Sequence, residues 1–439
     1  MRYRGTPLVR ICHLSWEYPP VVYGGLGRHV HAIAREQARA GHEVVVVSHV
    51  GIDSDDGTAQ PVDEVVDGVR VIRVVRDAPL VPFESETLLG WVAGLTSAMT
   101  RAALTLAHTF DLEVVHAHDW LTAHAASIVT SAAGRNSAAS VPWVHTVHAT
   151  EAGRHQGWLP GDLSRAIHSI EQWSVHSADR VIVCSQHMRW EVDRLFAMPD
   201  AVVIPNGVDV SSILVDVQQR DEIRARYGDH LIVHTGRLEW EKGTHTLIEA
   251  LPRLRRSFSD VQCVIAGRGS QADALVDLAR RKRVSPRVHI RGWMPEAELR
   301  ALVAAADVAV VPSLYEPFGI VALEAAAVNT PVVAARAGGL GEFLADDRHG
   351  FGFTPGDPAS LANAIKDCWN DPAEARSRAR RAHDYVQAQH GWATIAERTV
   401  EEYHAAHIES DQPRTASAGG AAVLATDADP GLNLLFEKP

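Results

Sequence analysis

Eleven short runs rich in Val and Ile recur along the chain, separated by longer Ala/Leu/Arg-rich segments. The first half holds LVRICHL, EVVVVSH, VRVIRVV, LEVVHAH, VPWVHTVH and RVIVCS; the second holds LIVHTGR, VQCVIAG, RVHIRG, DVAVVPS and TPVVAAR. Amphipathic stretches such as RHVHAIAREQARAGH fall between them. Strands apolar on both faces need helices on both sides, and crossover helices make the sheets parallel. The chain is therefore an α/β protein. Its 439 residues exceed one ordinary domain and suit two. The run AVVIPNGVDV carries Pro205, Asn206 and Gly207, a strong turn signal, and polar residues follow before strands resume. A first domain over residues 1–205 and a second over 206–390 are expected. GIDSDDGTAQPVDEVVDG is acidic and aperiodic, and is read as an exposed loop. Residues 409–439, rich in Ala, Gly, Asp, Ser, Thr and Pro, are read as a disordered tail.

The net charge of −12 argues against a nucleic-acid partner, which would call for a basic excess. Basic runs such as LARRKRVSPR and EARSRARRAH read as solvated helix ends, and leave a peripheral membrane contact open. No apolar stretch has the length of a membrane span. The apolar run near the N-terminus is too short for a signal peptide. Cys12, Cys184, Cys263 and Cys368 form no CxxC pair and read as buried reduced thiols. A cytoplasmic protein is the expectation.

Four constellations could carry chemistry. Gly24, Gly25 and Gly27 open a helix after the first strand. They serve either as a turn or as a cradle for an anion at a helix N-terminus. The spacing from the strand, Val30 in place of a third glycine, and Ser48–His49 at the end of the second strand weaken a nicotinamide reading. In GRLEWEKG, Gly236, Arg237 and Lys242 follow the first strand of the second half. Two cations there suit a diphosphate, or else pair with Glu239 and Glu241 in a solvated turn. In PSLYEPFGIVALEAAA, Glu316 sits in a loop and Glu324 on the helix that follows. The N–H groups of Phe318, Gly319 and Ile320 would be free at that helix start, so carboxylate and amides together suit a polyhydroxy ligand. The alternative is a helix cap and a buried salt bridge. Finally, His116, His118, Asp119, His145 and His148 fall near strand ends. Their spacing matches no familiar metal-ligand pattern, and polar residues at the ends of parallel strands are the more economical account.

The order of these motifs is more specific than any one of them. SWEYPPVVYGGLG, HAHDW, TVHATEAGR, IPNGVD, GRLEWEKG, AGRG, EPFGIVALEA and AGGLGE resemble the retaining glycosyltransferases of family four, from about residue 8 to about residue 395. SWEYPPVV, HAHDW, HATEAGRH and EPFG resemble most closely the actinobacterial α-glucan glucosyltransferases that build glycogen or methylglucose lipopolysaccharide. The resemblance implies a GT-B architecture, two Rossmann-like domains facing across a deep cleft, with residues 391–408 forming a helix that returns to the first domain. It implies glucose transfer from UDP-glucose or ADP-glucose to an α-1,4-glucan or related oligosaccharide, without cofactor or metal. The rivals are transfer of mannose or N-acetylglucosamine to a lipid or small molecule, and a non-catalytic sugar-nucleotide sensor.

Carried over position by position, Gly24 and Gly25 would approach the diphosphate, and Arg237 and Lys242 would bind its oxygens beside Gly236. Glu316 would hold the donor sugar with the amides of Phe318, Gly319 and Ile320. Glu324 would bind the ribose, and the stretch from Arg291 through Trp293 to Met294 would lie near the base. Gly338 and Gly339 would complete the site. His148 would contact the sugar near its reacting centre, and Asp119 would lie on the acceptor side. The sequence departs from the family at Arg268, where an acid is common, at Ile320, where leucine is usual, and at Asn329, where glycine is usual. The last two are read as packing changes.

Overall fold

The structure, a computed structural model, describes residues 7–52, 59–78, 81–133, 141–208, 210 and 215–410. The tail beyond residue 410 lies outside them. The chain divides into two compact units. One comprises the chain up to Cys184, Met188–Pro205 and everything from Trp392 onward. The other comprises Ser185–His187 and Asn206–Gly391.

The strands of the first unit are β1 (Arg10–Leu14), β2 (Glu43–His49), β3 (Val62–Val66), β4 (Val69–Val74), β5 (Val114–His118), β6 (Trp143–Val147), β7 (Arg180–Val183) and β8 (Val202–Val203). They form one sheet in the order β3-β4-β2-β1-β5-β6-β7-β8. All pairs are parallel except β3 with β4. Successive residues of a strand enter opposite cores, as a pleat requires. Ile11 packs with Val44, Val46 and Val114 on one face; Cys12 and Leu14 pack with Val45, Val47 and Val115 on the other. The helix Gly25–Ala40 and the C-terminal helix Trp392–Ser410 cover the first of these faces.

The second unit holds β9 (Leu231–Thr235), β10 (Gln262–Ala266), β11 (Val288–Gly292), β12 (Val308–Val311), β13 (Val332–Ala335) and β14 (Phe351–Phe353). Its sheet is parallel throughout, in the order β11-β10-β9-β12-β13-β14. Among the described residues, no helix is long and apolar enough to cross a membrane.

All eleven apolar runs are strands. The acidic segment read as a loop is in part a strand, and this corrects that expectation. β3 lies exposed on the sheet edge and pairs antiparallel with β4 through Asp67 (φ 51°) and Gly68 (φ 83°). Asp-Gly at a two-residue turn with both φ positive is a strong hairpin signal, and edge strands tolerate the charge that hid this one. Asn329 is a backbone feature more than a packing change. It ends the helix Ile320–Ala327 at φ 59°, with the N–H of Thr330 donating to the Ala325 carbonyl at 3.0 Å. That left-handed cap takes Gly by preference and Asn next.

Candidate active site

In each sheet the strand order reverses once beside the first strand, between β1 and β5 and between β9 and β12. Loops leaving such a pair diverge above and below the sheet and open a crevice at the carboxyl ends. The residues singled out from the sequence follow the carboxyl ends of these strands and of β6, β11 and β13.

In the second unit, Arg237 and Lys242 follow β9 and Glu316 follows β12. Lys242 Nζ donates to Glu316 Oε2 at 2.8 Å, and Ser313 Oγ donates to the same oxygen at 3.0 Å. Arg237 donates to Glu241 Oε1 at 3.0 Å, with its side chain 38% exposed. So one cation pairs as the solvated-turn alternative required, and the other with the acid expected to hold a sugar. Backbone bonds lock the two loops together, since the Glu241 carbonyl accepts from the N–H groups of Leu314 (2.8 Å) and Tyr315 (3.2 Å). Below them, buried His234 donates from Nδ1 to the Val310 carbonyl (2.9 Å) and faces Thr244 Oγ1 at 3.0 Å. Burial holds this imidazole neutral by lowering its pKa to about 4.

The glycines here have steric reasons. A Cβ on Gly243 (φ 64°) would lie 2.0 Å from the Pro312 carbonyl oxygen. One on Gly338 (φ 52°) would lie 2.1 Å from the Glu316 carbonyl oxygen, and one on Gly339 2.6 Å from Phe318 Cα. AGGLGE is thus pressed against the Glu316–Phe318 backbone, and the Gly339 N–H donates to the Glu316 carbonyl at 2.9 Å. Gly319 (φ 98°) precedes the helix Ile320–Ala327. Among the described residues, none accepts from the N–H groups of Phe318, Gly319 or Ile320. Glu324 is half-buried on the second turn of this helix. Gly236 (φ 146°) directly follows β9. Arg291 lies at the end of β11 and lines a pocket with Ile223, Tyr227, Val264 and Met294, while Trp293 is exposed. Arg268 contributes its carbonyl, which accepts from the Leu238 N–H at 2.8 Å and ties the loop after β10 to that after β9.

In the first unit, Gly24 and Gly25 begin the helix Gly25–Ala40. Glu17, which no sequence motif marked, places its buried carboxylate at this helix start. It accepts from the N–H groups of Tyr23 (2.5 Å) and Gly24 (3.0 Å), and its side chain fills the space beside Gly27. The usable signal was an acid shortly before a glycine turn, the arrangement of a helix-start anion. Asp119, after β5, has a left-handed backbone (φ 58°), and its Oδ1 accepts from the His148 N–H at 2.7 Å. Its carboxylate therefore faces the start of the loop after β6. Burial raises its pKa to about 6. His148 is half-buried and kept neutral by burial, with its pKa lowered to about 3.

Of the residues weighed for a metal, His116, His118 and His148 converge with His13 and His29, which were not singled out, while Asp119 and His145 fall in neither group. Ring nitrogens of His13, His116 and His118, and those of His29, His118 and His148, lie within 4.8 Å of one another in each group. They come from β1, β5, the loop after β6 and the helix Gly25–Ala40, so no local spacing could show them together. Both nitrogens of His13, His116 and His118 already take part in hydrogen bonds within the protein.

Two family models match the chain: Glycosyltransferase Family 4 over residues 23–212 and Glycosyl transferases group 1 over residues 216–384. A glycogen synthase of Mycobacterium tuberculosis is 43% identical over 413 residues, which cover 92% of this chain and 97% of that protein. The α-maltose-1-phosphate synthase of Mycolicibacterium smegmatis is 31% identical, over 90% of this chain and 99% of that protein. Among solved structures, sucrose-phosphate synthase from Thermosynechococcus elongatus has a TM-score of 0.76 at 24% identity, over 90% of this chain and 98% of that one. That likeness is one of fold, and the two parallel-sheet units are the GT-B architecture the motifs implied.

Proposed function

Given that the chain belongs to the group 1, family 4 glycosyltransferases, we propose that it transfers glucose from UDP-glucose or ADP-glucose to an α-1,4-glucan or related oligosaccharide, with retention of the anomeric configuration. The nucleotide sugar is a substrate, not a cofactor. One observation carries the proposal: Lys242 and Glu316 meet at 2.8 Å beside the amides that open the helix Ile320–Ala327, which have no acceptor among the described residues. The high identity to a glycogen synthase supports glucose as the sugar and a glucan as the acceptor.

The chemistry follows from charge. Cleaving the bond between sugar and phosphate leaves negative charge on the diphosphate and positive charge on the ring. Arg237 and Lys242 neutralise the first, with the start of the helix Ile320–Ala327 supplying oriented N–H groups and the Gly24–Gly25 loop approaching closely. Lys242 then exchanges Glu316 for a phosphate oxygen, and Glu316 turns its acceptors to the sugar hydroxyls. Gly236, Gly338 and Gly339 let backbone approach the ligand, and Glu324 takes the ribose hydroxyls. The base rests by Arg291 and Trp293. His148 meets the sugar near its reacting carbon, and Asp119 fixes the loop that carries it. No carboxylate is assigned as nucleophile, so the departing phosphate takes the acceptor proton on the same face. Fixed cations replace a metal in this scheme.

The test is nucleotide release from UDP-glucose and ADP-glucose, each with and without a short α-1,4-glucan, in metal-free buffer. Glucan-dependent release is expected with one preferred donor. Folded protein that releases nucleotide from neither donor refutes the proposal.

A further inference from the structure

His148 is the half-buried end of a hydrogen-bonded chain that runs through the core of the first unit. His148 Nε2 lies 3.1 Å from His118 Nδ1, and His118 Nε2 lies 3.1 Å from His13 Nδ1. His13 Nε2 lies 2.8 Å from Gln37 Oε1. Gln37 Nε2 donates to the Tyr403 hydroxyl at 3.0 Å. That hydroxyl lies 2.7 Å from His116 Nδ1, and His116 Nε2 lies 2.7 Å from Thr146 Oγ1. His13, Gln37, His116, His118 and Tyr403 are all completely buried.

We propose that Gln37, held by Tyr403, is a positioning residue that fixes the tautomer of His148, so that its Nδ1 meets the ligand as a bare hydrogen-bond acceptor.

With the Gln37 amide oriented as in the structure, Oε1 toward His13 and Nε2 toward Tyr403, the proton count leaves one solution. An amide oxygen carries no proton, so His13 Nε2 must donate to Gln37. A neutral imidazole has a single N–H, so His13 Nδ1 is an acceptor and His118 Nε2 donates to it. By the same step His118 Nδ1 accepts, and His148 Nε2 donates. His148 Nδ1 is then left with its lone pair. Burial keeps every ring neutral, lowering His13 to about 4 and His148 to about 3 and holding His118 well below its ordinary value. The other arm agrees. Tyr403 accepts from the Gln37 amide and spends its one proton on His116 Nδ1, so His116 Nε2 donates to Thr146.

Without Gln37 the row of three imidazoles could run in either direction, and His148 would present an N–H as often as a lone pair. The amide is the one group in the chain with a fixed donor end and a fixed acceptor end. Buried polar chains polarise their members cooperatively, so the choice is transmitted to the end. The C-terminal helix, which carries Tyr403, thereby acts on the ligand-facing side of the first unit. The inference rests on the proposal that His148 touches the donor sugar. There a bare Nδ1 accepts from a sugar hydroxyl, and the negative end of the imidazole dipole faces a ring that turns positive in the transition state. An N–H in its place would oppose that charge.

The experiment uses full-length protein labelled with 15N-histidine, with His148 assigned by the signal lost in His148→Asn. The wild type should show Nε2 protonated and Nδ1 bare. Gln37→Met, close to Gln in volume, should bring a second His148 population protonated at Nδ1. Its kcat should fall about tenfold, with donor KM within about twofold, since the loss is one oriented interaction in the transition state. Tyr403→Phe, which removes only the hydroxyl, should shift the same signals in the same direction. A wild-type His148 protonated at Nδ1 overturns the inference, as does folded Gln37→Met with unaltered His148 signals and kcat. Stoichiometric zinc uptake that shifts the His13 and His118 signals also overturns it, because ligation would consume those lone pairs. His148→Ala kinetics keep the two claims apart. If that variant turns over normally, the contact between His148 and the donor sugar fails, while the NMR result still judges the relay.

Discussion

At the scale of single residues, the site divides into groups that carry charge and groups that make room. Arg237 carries charge. Glu241 pairs with it at 3.0 Å, and its side chain remains 38% exposed, so truncation leaves no large buried cavity. Arg237→Ala should lower kcat by about a hundredfold or more, the usual cost of one lost donor to developing negative charge. Steady-state kinetics on folded protein check this, and unchanged turnover would remove Arg237 from the mechanism. Gly243 makes room. At φ 64° and with a Cβ 2.0 Å from the Pro312 carbonyl oxygen, it forbids any side chain without backbone movement. Gly243→Ala should cost at least about 2 kcal/mol of stability, from left-handed strain plus the clash. An unchanged urea midpoint would contradict that. The sequence displayed both residues in one motif and could not tell their duties apart. Charge is visible in a letter; the close approach of β9 and β12 loops that demands glycine is not. Glu17 escaped for the same reason, since its part depends on a turn that brings it back to the start of the helix Gly25–Ala40.

At the scale of elements, β1, β5, β6 and the loop after β6 place histidines in the interior of the first unit or at its edge, and the position has a thermodynamic consequence. His13 is lowered to about 4, His145 and His148 to about 3, and His116 and His118 well below their ordinary value, all chiefly by burial. Between pH 6.5 and about 4 the unfolded chain binds protons at these five positions that the folded unit refuses. Stability present above pH 6.5 is therefore lost as pH falls through that window. Asp119, raised to about 6, and Glu171, raised well above its ordinary value, act in the opposite sense and offset part of the loss. Five histidines against two carboxyls leave a net decrease, so the melting temperature should fall steadily from pH 7 to pH 5. A flat or rising profile would show the rings to be solvated. The sequence allowed every strand of apolar run to be recognised, because two-sided burial writes Val and Ile into almost every position. It hid β3, whose five residues are exposed, and the two-residue β8 and three-residue β14, too short for any periodicity. It also hid the histidine row, because partners 24 to 105 positions apart meet only once the strand order is known.

At the scale of the whole molecule, two sheets of the same class each reverse strand order once, and the motifs that matter follow the carboxyl ends of strands at or near those reversals. This explains why motif order was more informative than any motif alone: topology converts order along the chain into position around a reversal point. The last helix, Trp392–Ser410, belongs to the first unit although the second precedes it, and it supplies Tyr403 to that unit's core. What topology leaves open is the acceptor, which depends on loops rather than strands. Proton NMR of the product formed from maltoheptaose and the preferred nucleotide glucose shows whether the enzyme extends a glucan with retention. One added glucose in α-1,4 linkage is expected, visible as a new α-anomeric doublet at the non-reducing end. A β-linked product, or donor consumed with the glucan unaltered, would contradict the proposal.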